Sequence, residues 1–455
     1  MTHYISSKST ALSGHIKIPG DKSISHRAVM FGGIAEGETL IYGLLNSDDV
    51  MCTAQAMREM GAKVSNRGDG VWSIHGVGKS GLKSPKKPLD MGNSGTSTRL
   101  LLGLLSGYDV TAEFVGDASL SKRPMARVTD PLTQMGATFK SDGKDGLPLT
   151  MQGSSSLNEI TYKLPVASAQ VKSALILAAL NAQGTSTITE REPTRDYTES
   201  MLQAFGVNVT CEGLDITIEG GQTLEGCAID VPADPSSAAF PTVAALLCAG
   251  SDLTLNNVGL NARRDGLYRT LVDMGADIIF KNERTQGGEK VADLVIKHSP
   301  LKGVEVPIER VSSMIDEFPI FAVAASCASG TTTMRGLAEL RVKESDRLGV
   351  MAKGLKACGV DLEEGDDYLI IHGTGAAPKG GAEIVTQLDH RIAMSFLVLG
   401  LVSDEPITID DASPIMTSFP TFISGMKDIG ADFRGEDEPE NEPLELSLDT
   451  IEHLN

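Results

Sequence analysis

Residues 59–64 read EMGAKV, and this run decides the fold because it comes back five more times. Its equivalents are QMGATF around Gly136, AFGVNV around Gly206, DMGADI around Gly275, ACGVDL around Gly359 and DIGADF around Gly430. From Gly61 onward the spacings are 75, 70, 69, 84 and 71 residues. Each time a helix-period segment ends on a large apolar residue (once a Cys), then comes Gly, then a small residue and a strand-like run. A helix that stops by turning its next residue left-handed needs Gly there, because a Cβ is penalised in that conformation.

Each repeat also carries an earlier helix rich in small apolar residues. These begin near Ser25 (SHRAVMFGGIA), Gly95 (GTSTRLLLGLL), Ser168 (SAQVKSALILAAL), Pro235 (PSSAAFPTVAALL), Asp316 (DEFPIFAVAASCA) and Asp389 (DHRIAMSFLVLGL). A turn and a β-branched run follow, such as TSTITE or GTTTM. The unit therefore reads strand, buried helix, strand, amphipathic helix, strand, an α/β pattern. Ala, Gly and Ser let helices approach closely, so the expectation is helices inside and sheets outside. A single core rarely grows past ~250–300 residues, so 455 residues predict two lobes of three units. One lobe is expected over 21–232. The other takes 1–20 and 233–435, with crossings near Gly20 and Val231–Asp234. Residues 436–455 read as a loose acidic tail.

Sixty acidic residues face forty basic ones, a formal charge of −20. Such a surface repels nucleic acid and anionic membrane. The six cysteines show no C-x-x-C spacing and read as reduced, buried thiols of a cytoplasmic protein. Met1–Gly20 has no apolar leader segment, and Val171–Leu180 is too short to span a membrane. The eight histidines show no metal-ligand spacing, so no metal is expected. GVGKSG at Gly76–Gly81 imitates a nucleotide loop, but no helix pattern follows it, and the first Walker position would fall on Ser73.

Polar signals gather at the starts of the buried helices. A helix N-terminus offers unpaired N–H groups and a partial positive charge to an anion. PGDKSISHR supplies Lys22, Ser23 and Arg27; GNSGTSTR supplies Gly95; SLSKRPMAR supplies Arg123. VASAQVKSA offers Ser168 and Gln170, SMIDEFP offers Asp316, LRVKESDR holds Lys343, Glu344 and Arg347, and QLDHRIAMSF holds Arg391. The LRVKESDR run is expected to open the amphipathic helix that ends at Gly359.

Their order, combined with the sixfold repeat, resembles the enolpyruvyl transferase family from about Gly14 to Pro420. Within it, the match is to the branch whose acceptor is shikimate 3-phosphate. The resemblance implies two lobes, each of three βαβαββ units, and addition–elimination chemistry that needs no cofactor. It implies that Lys22, Ser23, Arg27, Ser168, Ala169, Gln170, Asp316 and Lys343 hold shikimate 3-phosphate. Arg195 joins them through the run PTRDYT. Phosphoenolpyruvate would be held by Lys22, Gly95, Arg123, Gln170, Arg347 and Arg391. Asp316 would act as base, with Glu344 and Lys22 as candidates for proton delivery. The first lobe would then mainly bind shikimate 3-phosphate, and the second would carry phosphoenolpyruvate and acid–base residues. A monomer is expected.

The sequence departs from the better-known branch at two places. Thr417 stands where that branch has a Lys before T-F-P, and Glu339 stands where it has an Asn. Glyphosate, the family's inhibitor, is expected to enter, because tolerant relatives can carry Ala at the position of Gly95. The related transferase that acts on UDP-N-acetylglucosamine is the alternative. It usually carries a reactive Cys at the position of Ala118.

Overall fold

The computed structural model describes residues 2–79 and 81–435; the expected tail at 436–455 lies outside the described residues. Among them are twelve α-helices that alternate in character. The odd ones are α1 (Lys22–Ile34), α3 (Gly95–Ser106), α5 (Ala169–Ala179), α7 (Pro235–Leu247), α9 (Phe318–Cys327) and α11 (His390–Gly400). The even ones are α2 (Asp48–Glu59), α4 (Ala126–Met135), α6 (Tyr197–Ala204), α8 (Gly266–Asp273), α10 (Arg347–Ala357) and α12 (Phe422–Asp428).

The odd helices have almost no polar face, so they must be enclosed. In α9 every residue from Phe318 to Ser326 is buried, and in α7 every residue from Pro235 to Leu246. The even helices bury one stripe. In α4 it is Val128, Pro131, Leu132 and Met135, spaced i, i+3, i+4, i+7. Each even helix is stopped by its repeat glycine. Gly61, Gly136, Gly206, Gly275, Gly359 and Gly430 have φ of 113°, 115°, 85°, 91°, 83° and 109°.

The strands form six small sheets, one per repeat. In the second, Leu89–Asp90 runs parallel to Thr111–Val115, which pairs antiparallel with Leu149–Gln152 and through it with Thr138–Ser141. The last two form a hairpin, so the unit has one strand more than the helix–strand alternation predicts. The first sheet takes its leading strand, Ala228–Asp230, from the end of the third repeat; it lies parallel to Glu38–Tyr42. The N-terminus completes two sheets. Ser13–His15 lies parallel to Asp252–Gly259 in the fourth. Tyr4–Ser7 lies between Ile407–Ile409 and Asp432–Gly435 in the sixth.

Buried apolar residues form two separate clusters, here called the lobes. One is drawn from Ile24–Val231, the other from Leu12–Ile18 and Ala233–Phe433. Two strands of chain cross between them side by side. The Asp21 N–H donates to Pro232 O at 2.8 Å, and the Asp234 N–H to Pro19 O at 2.9 Å. At Gly20 a Cβ would sit 2.1 Å from Gly43 O, so the crossing has no room for another residue type.

Two sequence expectations are corrected. Ala338–Val342 is a 3₁₀ turn, and the run through Ser345 precedes α10 rather than opening it. The helix starts at Arg347 because the Asp346 side chain accepts from the Gly349 N–H at 3.0 Å. The cysteines are unpaired, but only Cys248 and Cys358 are buried, and Cys211 is exposed. Among the described residues, no helix is long and apolar enough to cross a membrane.

Gly103 shows how close the inner helices come. A Cβ there would meet Ala174 O of α5 at 2.1 Å and its Cα at 2.5 Å. Gly103→Ala must push α3 and α5 apart. The expected cost is about 1–3 kcal/mol, read as a lower urea midpoint with an unchanged m-value.

Candidate active site

All six odd helices turn their N-terminal ends, α9 by way of Asp316, which precedes it, to one cleft between the lobes. Its lining includes Lys22 and Ser23 of α1, Gly95, Thr96 and Arg99 of α3, and Ser168, Ala169 and Gln170 at α5. Asp234 and Ser236 at α7, Asp316 before α9, and His390 and Arg391 of α11 complete the ring. Side chains cap five of these ends. Asp21 accepts from Ile24 N, Ser94 from Ser97 N, Ser168 from Val171 N, Asp234 from Ser236 N, and Asp389 from Arg391 N. Eight lining side chains are Lys or Arg and six are Asp or Glu. The cleft therefore carries a local positive excess inside a chain of net charge −20.

Asp316 is the centre of this charge. Lys343 Nζ lies 3.2 Å and Arg347 Nη1 3.3 Å from its Oδ1, and Arg195 pairs with Oδ2. Arg391 donates to its backbone carbonyl at 2.9 Å. Burial pushes the Asp316 carboxyl up, but Lys343, Arg195, Arg391 and Arg347 outweigh it and hold the pKa well below the usual carboxylate range. Glu344 is likewise held low: Arg347 and then Arg123 overcome its desolvation. Its Oε1 lies 3.8 Å from Arg123 Nη1, and its Oε2 2.5 Å from Arg347 Nη2. Arg123 is steadied by Asn93 Oδ1 at 2.6 Å and Ser119 Oγ at 3.2 Å.

Most residues expected at the site line the cleft, but Arg27 and Arg347 do not. Arg27 is buried one turn behind Ser23 and donates to Ser23 O, Thr198 Oγ1 and Ser173 Oγ. Arg347 is 1% exposed and gripped by Asp389, whose Oδ2 accepts from its Nε at 2.8 Å. It stands behind Asp316 and Glu344 as their shared cation. Thr417 also lies outside the lining; its hydroxyl donates to Pro414 O at 2.7 Å and sits 3.5 Å from His390 Nδ1.

Several lining residues escaped the sequence reading. Asp49 pairs with Lys22 from α2, and nothing in its own segment announces that. Arg99, four residues into α3, donates to Gln170 Oε1. It lay inside a motif already singled out, so its helical spacing from Gly95 was the available signal. Arg264 and His390 are also present. Burial, with Lys22 and Arg391 nearby, keeps the His390 ring well below its ordinary pKa and hence neutral near pH 7.

The arrangement offers cations to an anionic ligand and holds two ionised carboxylates among them. The family model for EPSP synthase (3-phosphoshikimate 1-carboxyvinyltransferase) matches residues 6–426. This chain belongs to the EPSP synthase family. It is 56% identical over 436 residues to the 3-phosphoshikimate 1-carboxyvinyltransferase of Paramagnetospirillum magneticum, covering 95% of this chain and 98% of that one. With the Parvibaculum lavamentivorans protein of the same name, identity is 54% over 432 residues, 94% of this chain and 96% of the relative. Among solved structures, the Acinetobacter baumannii EPSP synthase superposes with a TM-score of 0.85. Identity there is 47%, over 96% of this chain and 100% of that one. The enolpyruvyl transferase NikO of Streptomyces tendae shares the fold at a TM-score of 0.77, with 18% identity over 96% of this chain and 99% of that one.

Ion pairs span the cleft from lobe to lobe. Besides Arg195–Asp316 and Arg123–Glu344, Arg127 Nη1 reaches Glu339 Oε2 at 2.9 Å. Both side chains of this last pair are about one-third exposed, so it is worth only about 0.2–1 kcal/mol. Glu339→Ala should weaken the contact between the lobes by the same amount, a factor of about 1.4–5 in any equilibrium that parts them. Fluorescence energy transfer between labels on the two lobes reads this at low salt, and high salt should erase the difference from the parent.

Proposed function

We propose that this cleft transfers the enolpyruvyl group of phosphoenolpyruvate to the 5-hydroxyl of shikimate 3-phosphate and releases phosphate. One observation carries the reading: six helix N-termini and eight cationic side chains surround Asp316 and Glu344. Both substrates are anions with phosphate and carboxylate groups, which such a cleft suits. The chemistry also needs a base and an acid beside the cations.

The roles that the family resemblance implies are compatible with these positions. Ser23, Ser168, Ala169 and Gln170 face the acceptor from α1 and α5, with Arg195 and Lys343 reaching its charged groups. Gly95, Arg123 and Arg391 face phosphoenolpyruvate. Lys22, tethered to Asp49, stands between the two. Arg27 and Arg347 act from behind the lining unless ligands draw them forward.

In the empty cleft Asp316 is ionised but a weak base, because its cations hold its pKa down. Substrate phosphates and carboxylates compete for those same cations. Once Arg195, Lys343 and Arg391 turn to substrate, Asp316 gains proton affinity, and it can accept the proton of the attacking 5-hydroxyl. Glu344 is released in the same way when phosphoenolpyruvate engages Arg123 and Arg347, which equips it to protonate C3; Lys22 is the other candidate. C2 thus gains the acceptor oxygen while C3 gains a proton. Phosphate then leaves as C3 gives its proton back.

UDP-N-acetylglucosamine as acceptor is not favoured. Ala118 stands where that reaction's usual Cys would be, and the curated relatives cited above carry the shikimate name. We read the enzyme as a cytoplasmic monomer working without cofactor, metal or nucleic acid, with the two lobes as its moving bodies.

The direct test is phosphate release from phosphoenolpyruvate, with and without shikimate 3-phosphate. Release without the acceptor, or release driven only by UDP-N-acetylglucosamine, would sink the proposal. Asp316→Asn should bind both substrates yet lower kcat about 10²–10⁴-fold. Full turnover in that variant would refute the assignment of the base.

Gly95 gives a second test. A Cβ there would lie 3.0 Å from Arg123 Nη1, close enough to displace the guanidinium by a few tenths of an ångström. Gly95→Ala should raise the KM for phosphoenolpyruvate. It should raise the inhibition constant for glyphosate, the longer molecule, by a larger factor. Steady-state inhibition kinetics compare the two.

A further inference from the structure

Behind the wall of the cleft lies a buried group of charges that the chemistry above does not use. Lys172, one turn into α5, is completely buried, with Nζ 3.0 Å from Glu190 Oε1 and 2.7 Å from Glu199 Oε1. Glu190 is 3% exposed. A buried carboxylate is kept only where it is paired and hydrogen-bonded, and the partners of Glu190 show what it fixes.

Its Oε1 accepts from the Thr194 N–H at 3.0 Å and also from the Thr194 hydroxyl. One carboxylate therefore closes the loop 190–194, immediately before Arg195. Arg263, from the other lobe, grips the same loop: its Nη1 donates to Thr194 O at 2.8 Å and lies 3.5 Å from Glu190 Oε2. The loop is thus held from below by the first lobe and from the side by the second. Arg195, at its tip, reaches Asp316 across the cleft.

We infer that Glu190 is a positioning residue for the acceptor site: it fixes the Thr194–Arg195 segment, and Arg263 completes that fix only when the lobes are together. The inference rests on the reading of Arg195 as a ligand of the shikimate 3-phosphate phosphate. Closing the lobes then does more than narrow the cleft. It stiffens the loop that presents one of the acceptor's cations.

The test is a double-mutant cycle on the whole enzyme between Glu190→Gln and Arg195→Ala, with KM for each substrate and kcat as readouts. Glu190→Gln leaves Lys172 paired with Glu199 and keeps an acceptor near Thr194. It is expected to raise the KM for shikimate 3-phosphate about tenfold, the scale of a weakened charged hydrogen bond, with little change in the KM for phosphoenolpyruvate. In the Arg195→Ala background the same substitution should add almost nothing. A merely structural role for Glu190 would move both KM values and kcat together, and its effect would multiply with that of Arg195→Ala; either result overturns the inference. If Arg195→Ala alone leaves the KM for shikimate 3-phosphate unchanged, the reading of Arg195 has failed, and this inference with it. Should Glu190→Gln fold poorly, Thr194→Val removes the hydroxyl bond without touching the buried charges. It must then raise the same KM selectively, and a null result counts against the inference.

Discussion

The constraint on which everything else depends is that six apolar helices cannot meet water on any side. Enclosing α7 or α9 requires neighbours all round, and the small residues Gly103 and Ala174 let those neighbours come within backbone contact. Sheets and the one-sided even helices then form the outer wall. What is left open is the helix ends, whose first N–H groups have no partner within their own helix. The fold turns all six N-terminal ends toward one cleft, so the need to cap buried helices and the ability to bind anions have a single structural origin.

Electrostatics sharpen that outcome. Far from the cleft the chain is strongly acidic, and salt screens its distant charges. Within the cleft most cations are held by carboxylates, while Arg99 is held by the Gln170 side-chain oxygen and the Pro124 carbonyl. Asp316 satisfies Lys343, Arg195 and Arg347, and Glu344 satisfies Arg123 and Arg347. The empty site is therefore nearly neutralised from within. Under the proposed function, substrate anions would exchange partners with these pairs, and the exchange would raise the proton affinity of the two carboxylates.

Much of this was legible in the sequence, for identifiable reasons. The repeat glycines could be read because a left-handed helix stop excludes most other residues, and all six proved left-handed. The buried helices could be read because they have no polar face. Harder to see was how the first sheet closes: Ala228–Asp230 pairs with Glu38–Tyr42 over a long separation, which no local pattern records. At the site, residues beside a helix start were visible because capping and glycine patterns mark them. Asp49 and Arg264 were not, since each comes from another element and acts only through three-dimensional proximity. Arg27 and Arg347 illustrate the opposite limit. Their place in a motif was plain, but their burial behind the lining depends on Ser173, Thr198 and Asp389.

The crossings between the lobes are built from the same residues as the site. Asp21 and Asp234 cap α1 and α7 and also flank the two chain crossings. The Lys22 N–H donates to Asp234 Oδ2 at 2.9 Å, so α1 in one lobe is anchored to the cap of α7 in the other. Arg264, 3% exposed, lies 3.6 Å from both carboxylates. It donates to Ser236, which bonds to Glu317, and Glu317 lies 3.5 Å from Arg391. Continuous polar contacts therefore run from the pivot of the two lobes to a cation in the cleft. A buried charge in such a run is costly to leave unpaired, which ties the geometry of the crossings to the surroundings of Arg391. The chain crossings and the anion site therefore share one run of polar contacts.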